Sequence, residues 1–444
     1  MSAVFWEPET HSDRSFAQNR GTIMTSCKAK WFLAMLLLAL PAAGQTLKVL
    51  HAFAGTDGEF PNGGLLRDSA GNLYGSTFGG GDLNCYNGIS GSPGCGTVFK
   101  LDVHGIETVL YAFDGGGDGS GPSHLLRDKA GNLYGTTGPC YGYGGCSYGT
   151  VFKVNPAGQM TVLYSFTLGL DGGYPEAGLI QDAEGNLYGT TMGGGNPNYC
   201  TGQRSFAHRP GEWPTNGCGT VFELSPSGQE AVLYSFIGNS DGAAPVASLV
   251  RDTHGNLYGT TMGGGDLNVC YNNSPGCGTV FKVTWNGAET ILHRFAGGSD
   301  GAYPNSALVR TARGDLIGTT SYAGPYGNGM VFKVSPAGKE SILYAFTGGA
   351  DGAYPDGALI QDSKGNLYGA TGAGGAYGYG TIFKLTVAGK ETVLYSFTGG
   401  ADGSDPNGAL TREKNGVIYG TAGGGGDLNC NPPSGCGIVF KLIP

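Results

Sequence analysis

The sequence predicts an all-β protein, a seven-bladed propeller with four antiparallel strands in each blade. Three observations carry this. Three short motifs recur seven times each along the chain. The segments holding them are short, β-branched or aromatic, and bounded by Gly and Pro, as strands between tight turns are. The chain opens with a strand that its last repeat lacks, which a closed ring needs and an open array does not. Composition agrees. There are 86 Gly and 22 Pro in 444 residues, and only 13% of residues are charged. Each Gly inside a helix costs ~1 kcal/mol relative to Ala, so a helical protein is excluded. Collagen is excluded because the glycines do not fall at every third position. The 40% hydrophobic and 11% aromatic residues supply a core.

The first motif is Gly-Asn-Leu-Tyr-Gly-Thr-Thr, found at 71–77 with one change, at 131–137, 185–191, 255–261 and 365–371, and degraded at 314–320 and 416–422. The second resembles Gly-Thr-Val-Phe-Lys, at 96–100, 149–153, 219–223, 278–282, 329–333, 380–384 and 437–441. The third resembles Val-Leu-Tyr-Ser-Phe, at 49–53, 109–113, 162–166, 232–236, 291–295, 342–346 and 393–397. Period and linkage are those of a repeat architecture. The length between the first and second motifs varies while the motifs keep theirs, which places the variation in a surface loop.

In the first repeat, strand A is expected at 65–68, B at 72–77, C at 97–101 and D at 107–113. The A–B link ends in Gly71 and suits a type I turn with that glycine at positive φ. The C–D link, as in Asn155-Pro156-Ala157-Gly158, has the same chemistry with Pro to set φ. Four antiparallel strands per unit make a propeller blade. The first motif after the N-terminal segment is a D strand, Leu47 to Phe53, and the last repeat stops after its C strand. Pairing Leu47–Phe53 with Ile438–Leu442 would complete the seventh blade. An open array would leave both strand edges exposed.

The linked repeat DGxxPxGxLxxDxxGNLYGTTxxGG…GTVFKLxxxGxExVLYSF resembles the GloVer tandem repeat of exported bacterial proteins. The resemblance covers residues 46–444 and implies export, without implying an activity.

The N-terminal residues agree with export. Lys28 and Lys30 precede the apolar run Trp31 to Leu40, too short to span a bilayer. Small residues at Ala42 and Gly44 then suit cleavage before Gln45. Met24 is a candidate start. The domain plan is thus a removed segment, 1–44, and a single propeller, 45–444. No later run is apolar enough to span a membrane. A formal net charge of −9 disfavours nucleic acid, whose phosphates require clustered Lys and Arg.

Apart from Cys27 in the leader, the cysteines form five close pairs: Cys85/Cys95, Cys140/Cys146, Cys200/Cys218, Cys270/Cys277 and Cys430/Cys436. An even count in an exported chain reads as disulfides, each closing one B–C loop. Zinc is the alternative, but the spacings vary and no His accompanies each pair. Repeats five and six lack Cys and have the shortest B–C loops.

The A–B and C–D turns leave by one face of the ring and the variable B–C and D–A loops by the other, which is therefore the candidate functional face. The longest loop, Cys200–Cys218, holds Arg204, Phe206, His208, Arg209, Glu212 and Trp213. These suit stacking on a sugar ring or a partner side chain; covering the channel mouth is the alternative for Trp213. Tyrosines crowd the same face, and Phe60, Tyr174, Tyr303 and Tyr354 follow the Asp-Gly pairs; packing between blades is the simpler reading for most. The seven Asp of the Asp-Gly pairs read as turn residues bonding their own loop amides. Calcium stays open where Asp82, Asp266 and Asp427 add a second acid. The strand A column Arg67, Arg127, Gln181, Arg251, Arg310, Gln361 and Arg412 reads as inter-blade bonding.

The six His after the leader occupy unrelated repeat positions, and no nucleophile elbow, zinc-protease motif or phosphate-binding loop occurs. No cofactor or catalytic residue is assigned. The expected function is an exported binding or scaffold module, a monomer whose polysaccharide or protein ligand sits on the disulfide-loop face. The alternatives are a carbohydrate-active hydrolase or lyase with acids at the channel mouth, and a purely structural envelope protein.

Overall fold

In the computed structural model, residues 45–85, 93–138, 148–200, 217–266, 270 and 276–444 are described. They form seven antiparallel sheets arranged as one propeller. Blade I contains Leu66–Arg67, Leu73–Thr77, Thr97–Leu101 and Glu107–Ala112, strands A to D from the axis outward. Blades II to VI repeat this plan. Blade VII contains Thr411–Arg412, Ile418–Ala422 and Ile438–Ile443, and takes its outer strand, Thr46–Ala52, from the start of the chain. Thr46 pairs with Ile443 and Ala52 with Ile438, so the expected closure is present. Blade II carries an extra short strand, Ser120–Pro122, against Thr137 and Gly138.

Strand A is shorter than expected, two residues rather than four in blade I. The cause is Asp68, which leaves the ladder to bind the turn: its carboxylate accepts from Asn72 N at 2.9 Å, Asn72 Nδ2 at 2.9 Å and Tyr74 OH at 3.1 Å. Gly71 takes φ +94° inside that turn, as anticipated. Asp128, Asp182, Asp252 and Asp362 bind their turns in the same way.

Strand D is bulged against strand C. In blade I, Val98 faces Tyr111 and Phe99 faces Val109, leaving Leu110 as the extra residue. Such a bulge increases local twist and recurs in every blade.

The blades meet through a repeated ring contact. The D-strand Phe of one blade meets the C-strand Phe of the next edge to face, with centroids 5.0–5.4 Å apart, from Phe53–Phe99 round to Phe397–Phe440. Those phenylalanines are almost wholly buried. The glycine in the middle of each B strand is fixed by this contact. A Cβ on Gly75 would stand 2.5 Å from Phe99 Cζ, and one on Gly259 2.6 Å from Phe281 Cζ. Closer to the axis, Arg67 pairs with Glu413 of the preceding blade at 3.1 Å, and Arg412 lies over the Tyr368 ring at 4.7 Å. The Arg column therefore ties blades together.

Candidate functional site

The D–A loops run from the rim to the axis on the face that carries the cysteine loops. Their Asp-Gly carboxylates are used locally: Asp171 accepts from Tyr164 OH at 3.1 Å and Thr167 N at 2.8 Å, and Asp241 from Tyr234 OH at 2.9 Å. Asp82 and Asp427 likewise bind Asn84 N and Asn429 N at 3.0 and 2.9 Å. These are the Asx-type bonds the repeat suggested.

Four of the five cysteine pairs are disulfides: Cys85–Cys95, Cys200–Cys218, Cys270–Cys277 and Cys430–Cys436, with Cα separations of 5.2–5.6 Å. Zinc is thereby excluded for them. Cys140 and Cys146 lie outside the described residues, as do Arg204, Phe206, His208, Arg209 and Trp213. Tyr174 and Tyr303 pack inside the protein, whereas Tyr326 and Tyr377 stand 62% and 61% exposed on the short loops of blades V and VI.

Each D–A loop reaches the mouth through a residue held at φ between 53° and 59°: Phe60, Tyr174, Ala244, Tyr303, Tyr354 and Asp405, with Gly121 in blade II. This is the left-handed region that non-glycine residues seldom occupy. Two backbone bonds hold it there, one to the preceding blade and one within its own. Phe60 N donates to Cys436 O at 3.0 Å, and Phe60 O accepts from Phe78 N at 3.0 Å; Asp405 does the same with Tyr379 O and Gly423 N.

Three columns of the repeat converge at this mouth, and they are where the blades differ. The left-handed position is aromatic, Ala or Gly except for Asp405. The residue after the following Pro is Asn62, Glu176, Val246, Asn305, Asp356 and Asn407 in six blades. The residue opening the B–C loop is Phe78, Met192 and Met262 in blades I, III and IV, Gly138 in blade II, and Ser321, Gly372 and Gly423 in blades V to VII. Bulky apolar groups thus border one side and small or polar groups the other.

The polar side gathers two carboxylates. Asn305 Nδ2 donates to Asp356 Oδ1 at 3.3 Å from the neighbouring blade. A methyl group on Gly372 would lie 2.8 Å from Asp405 Oδ1 and 3.8 Å from Asp356 Oδ2. Glycine at 372 therefore leaves the space between the two acids open. Tyr322 and Tyr354 flank it, ring centroids 5.0 Å apart. Asp356 is half-buried and Asp405 more exposed, but protein atoms crowd around both carboxyls. Enclosure pushes Asp356 above the usual carboxylate range against the opposing pull of the Ser321 hydroxyl and Asn305 amide. Enclosure, then the Asp356 charge, pushes Asp405 up to about 6.

Deeper in the channel, His124 stands where other blades have Gly, Ser or Ala. A Cβ on Gly178 would lie 2.8 Å from its Cβ and 2.7 Å from Ser248 Oγ. Enclosure lowers the His124 pKa and favours the neutral imidazole. A rim groove of about 730 Å³, lined by Leu170, Asp171, Asn196, Glu230 and Val232, is a different feature. Its Glu and Asp recur in other blades, so it belongs to the repeat.

The whole-chain architecture decides the family. The Gloeobacter/Verrucomicrobia repeat matches residues 36–203 and 211–442. The chain belongs to that repeat family. No curated protein matches the sequence. Among solved structures, the chain is similar to a streptogramin B lyase at 13% identity, with TM-score 0.53, over 90% of this chain and 98% of that one. It is similar to virginiamycin B lyase from Staphylococcus aureus at 11% identity, with TM-score 0.54, over 90% and 100%. A third likeness is the extracellular domain of a putative hybrid two-component system from B. thetaiotaomicron, at 13% identity and TM-score 0.50, over 90% and 42%. At these identities the likeness is one of fold. In this Gloeobacter/Verrucomicrobia repeat protein the mouth residues had a sequence signal: they are the departures from the repeat.

Proposed function

We propose that the protein is an exported binding module that seats a polyhydroxylated, glycan-type ligand at the channel mouth on its disulfide-loop face. The observation that carries this is the convergence of unlike residues there. Asp356, Asp405, Asn305 and Asn407 face a border of Phe78, Met192 and Met262, in a ring otherwise built by repetition. Sugar rings offer hydroxyl edges and apolar faces, and this mouth offers partners for both. The exposed Tyr326 and Tyr377 extend the stacking surface.

Export is supported by the disulfides, which persist in oxidising compartments. In this reading residues 1–44 are removed and residues 45–444 act as one monomeric ring. Arg204, Phe206, His208, Arg209 and Trp213 then belong to the loop that borders the ligand. Among the described residues no helix is long and apolar enough to cross a membrane.

One observation favours a second reading. Two acids whose pKa values are raised and which flank an open space are what a carbohydrate-active hydrolase or lyase uses for proton transfer. A polysaccharide binding-and-turnover screen decides between the two. Binding without new reducing ends or unsaturated products, lost in Asp356→Asn and Asp405→Asn, supports the module. Product formation lost in the same variants establishes the enzyme. Binding unchanged in both variants removes the mouth from either role.

A further inference from the structure

The two mouth carboxylates lie close together without a cationic side chain between them. Among the described residues, no Lys or Arg pairs with Asp356 or Asp405; the Arg column is engaged elsewhere, with Glu413, Asp182 and Asp252. The acids come from different repeat columns and different blades, so no shared motif brings them together. Asp405 is held by both backbone bonds in a left-handed conformation that the other blades give to an aromatic, Ala or Gly residue.

A second observation concerns Ser321. It is 3% exposed, sits beside the Asp356 carboxyl, and its Oγ completes no well-formed hydrogen bond. The Oδ1 atoms of Asn305 and Asn407 are also enclosed without a partner. Asn305 turns its amide nitrogen to Asp356 Oδ1 at 3.3 Å. The side-chain groups beside the open space that can donate to a cation are oxygens: the Asp356 and Asp405 carboxylates and the Ser321 hydroxyl. Imidazole and thiolate, which would favour zinc or copper, are not among them. Oxygen donors in a flexible set, with two formal negative charges, suit a hard cation of calcium size.

We propose that Asp356 and Asp405, with Ser321 beside them, form a divalent-cation site of the calcium type at the channel mouth. The site goes beyond the reading of the protein as a glycan binder and holds whatever the ligand is. It is distinct from the turn acids Asp82 and Asp427, whose carboxylates serve their own loops. Two carboxylates with neutral oxygens give a modest site, with a Kd of roughly 0.1–1 mM.

The test is calorimetric titration of the full chain, first treated with EDTA, with CaCl2, MgCl2 and methylammonium chloride separately. The expected result is one calcium per chain, a weaker or undetectable magnesium signal, and a rise in Tm with calcium. Asp356→Asn combined with Asp405→Asn should abolish the calcium heat, and Ser321→Ala should weaken it by roughly tenfold. Asp427→Asn should leave it unchanged. An unchanged urea midpoint confirms that a variant is folded, and Ser321→Ala, the smallest change, serves if the double variant is not. No calcium heat overturns the site. Calcium binding that survives both mouth variants, or that is lost in Asp427→Asn, overturns it too. Methylammonium binding as tight as calcium also overturns the metal assignment and leaves an organic cation seat.

Discussion

Phe53 meets Phe99 edge to face, centroids 5.2 Å apart, and so joins a residue near the start of the chain to the first blade by the contact that joins every other pair of blades. Phe53 is 0% exposed. Removing the strand that carries it, residues 45–53, would unpair Ile438–Ile443 and open the last blade to its neighbour. The expected outcome is loss of the cooperative unfolding transition across the whole ring. The milder Phe53→Ala should cost about 3–5 kcal/mol. Urea denaturation followed by tyrosine fluorescence measures both, and a midpoint that does not move refutes closure by this strand.

The mid-strand glycine of the B motif yields a second prediction. Gly259 lies under Phe281, and a methyl there would stand 2.6 Å from the ring. Phe281 cannot retreat, because Phe236 holds it from the neighbouring blade at 5.1 Å. Gly259→Ala should therefore destabilise by about 1–3 kcal/mol through overpacking. Combining it with Phe281→Leu should recover part of the loss. Equal destabilisation by the single and the double variant would disprove this packing account.

The ring was legible in the sequence because its information is redundant. Seven copies each of motifs like Gly-Asn-Leu-Tyr-Gly and Thr-Val-Phe-Lys fix strands B and C, and the displaced D strand at Leu47–Phe53 fixes closure. The length of strand A was not legible, because Asp68 has equal claim to ladder and turn until its carboxylate is seen binding Asn72 and Tyr74. The mouth was legible only as separate departures from the repeat. Asp356 follows a Pro and Asp405 precedes one, in different blades. Nothing local pairs them; their meeting is a property of the closed ring.

Stability should depend on pH from both sides. Burial, then the nearby Asp charges, raises Glu230, Glu289 and Glu391 to about 7; burial with the opposing charge of His51 leaves Glu107 there too. These groups bind protons more tightly folded than unfolded, so their contribution is largest below the unfolded value near 4.5 and fades as pH rises towards 7. The turn acids oppose this at low pH. Hydrogen bonds from Asn256 and Tyr258 outweigh burial and lower Asp252 to about 2, and Asp362 is lowered similarly. Their contribution is lost as pH falls from 3.8 towards 2. Tm should therefore peak between about pH 4 and 5 and decline by pH 8. Glu230→Gln should flatten the decline, and a Tm that rises steadily from pH 5 to 8 would contradict the assignment.

The disulfides yield the last prediction. Cys436 is fully buried, and its carbonyl accepts from Phe60 N of blade I at 3.0 Å, so this staple supports the seam where the two ends of the repeat meet. Cys277 has the same place between blades IV and V, with its carbonyl bound to Tyr303 N at 2.9 Å. The two seams differ in one respect: blade VII is assembled from both ends of the chain, whereas blades IV and V are continuous. Opening either loop releases a short segment, a loss of about 2–3 kcal/mol. Cys430→Ser with Cys436→Ser should then expose the first strand, Thr46–Ala52, to hydrogen exchange well before the rest of the ring unfolds. Cys270→Ser with Cys277→Ser should lower the midpoint by a similar amount without that selective exposure. Hydrogen-exchange mass spectrometry on the two variants separates the cases. Equal protection of Thr46–Ala52 in both would refute a special role for the Cys430–Cys436 disulfide at the seam.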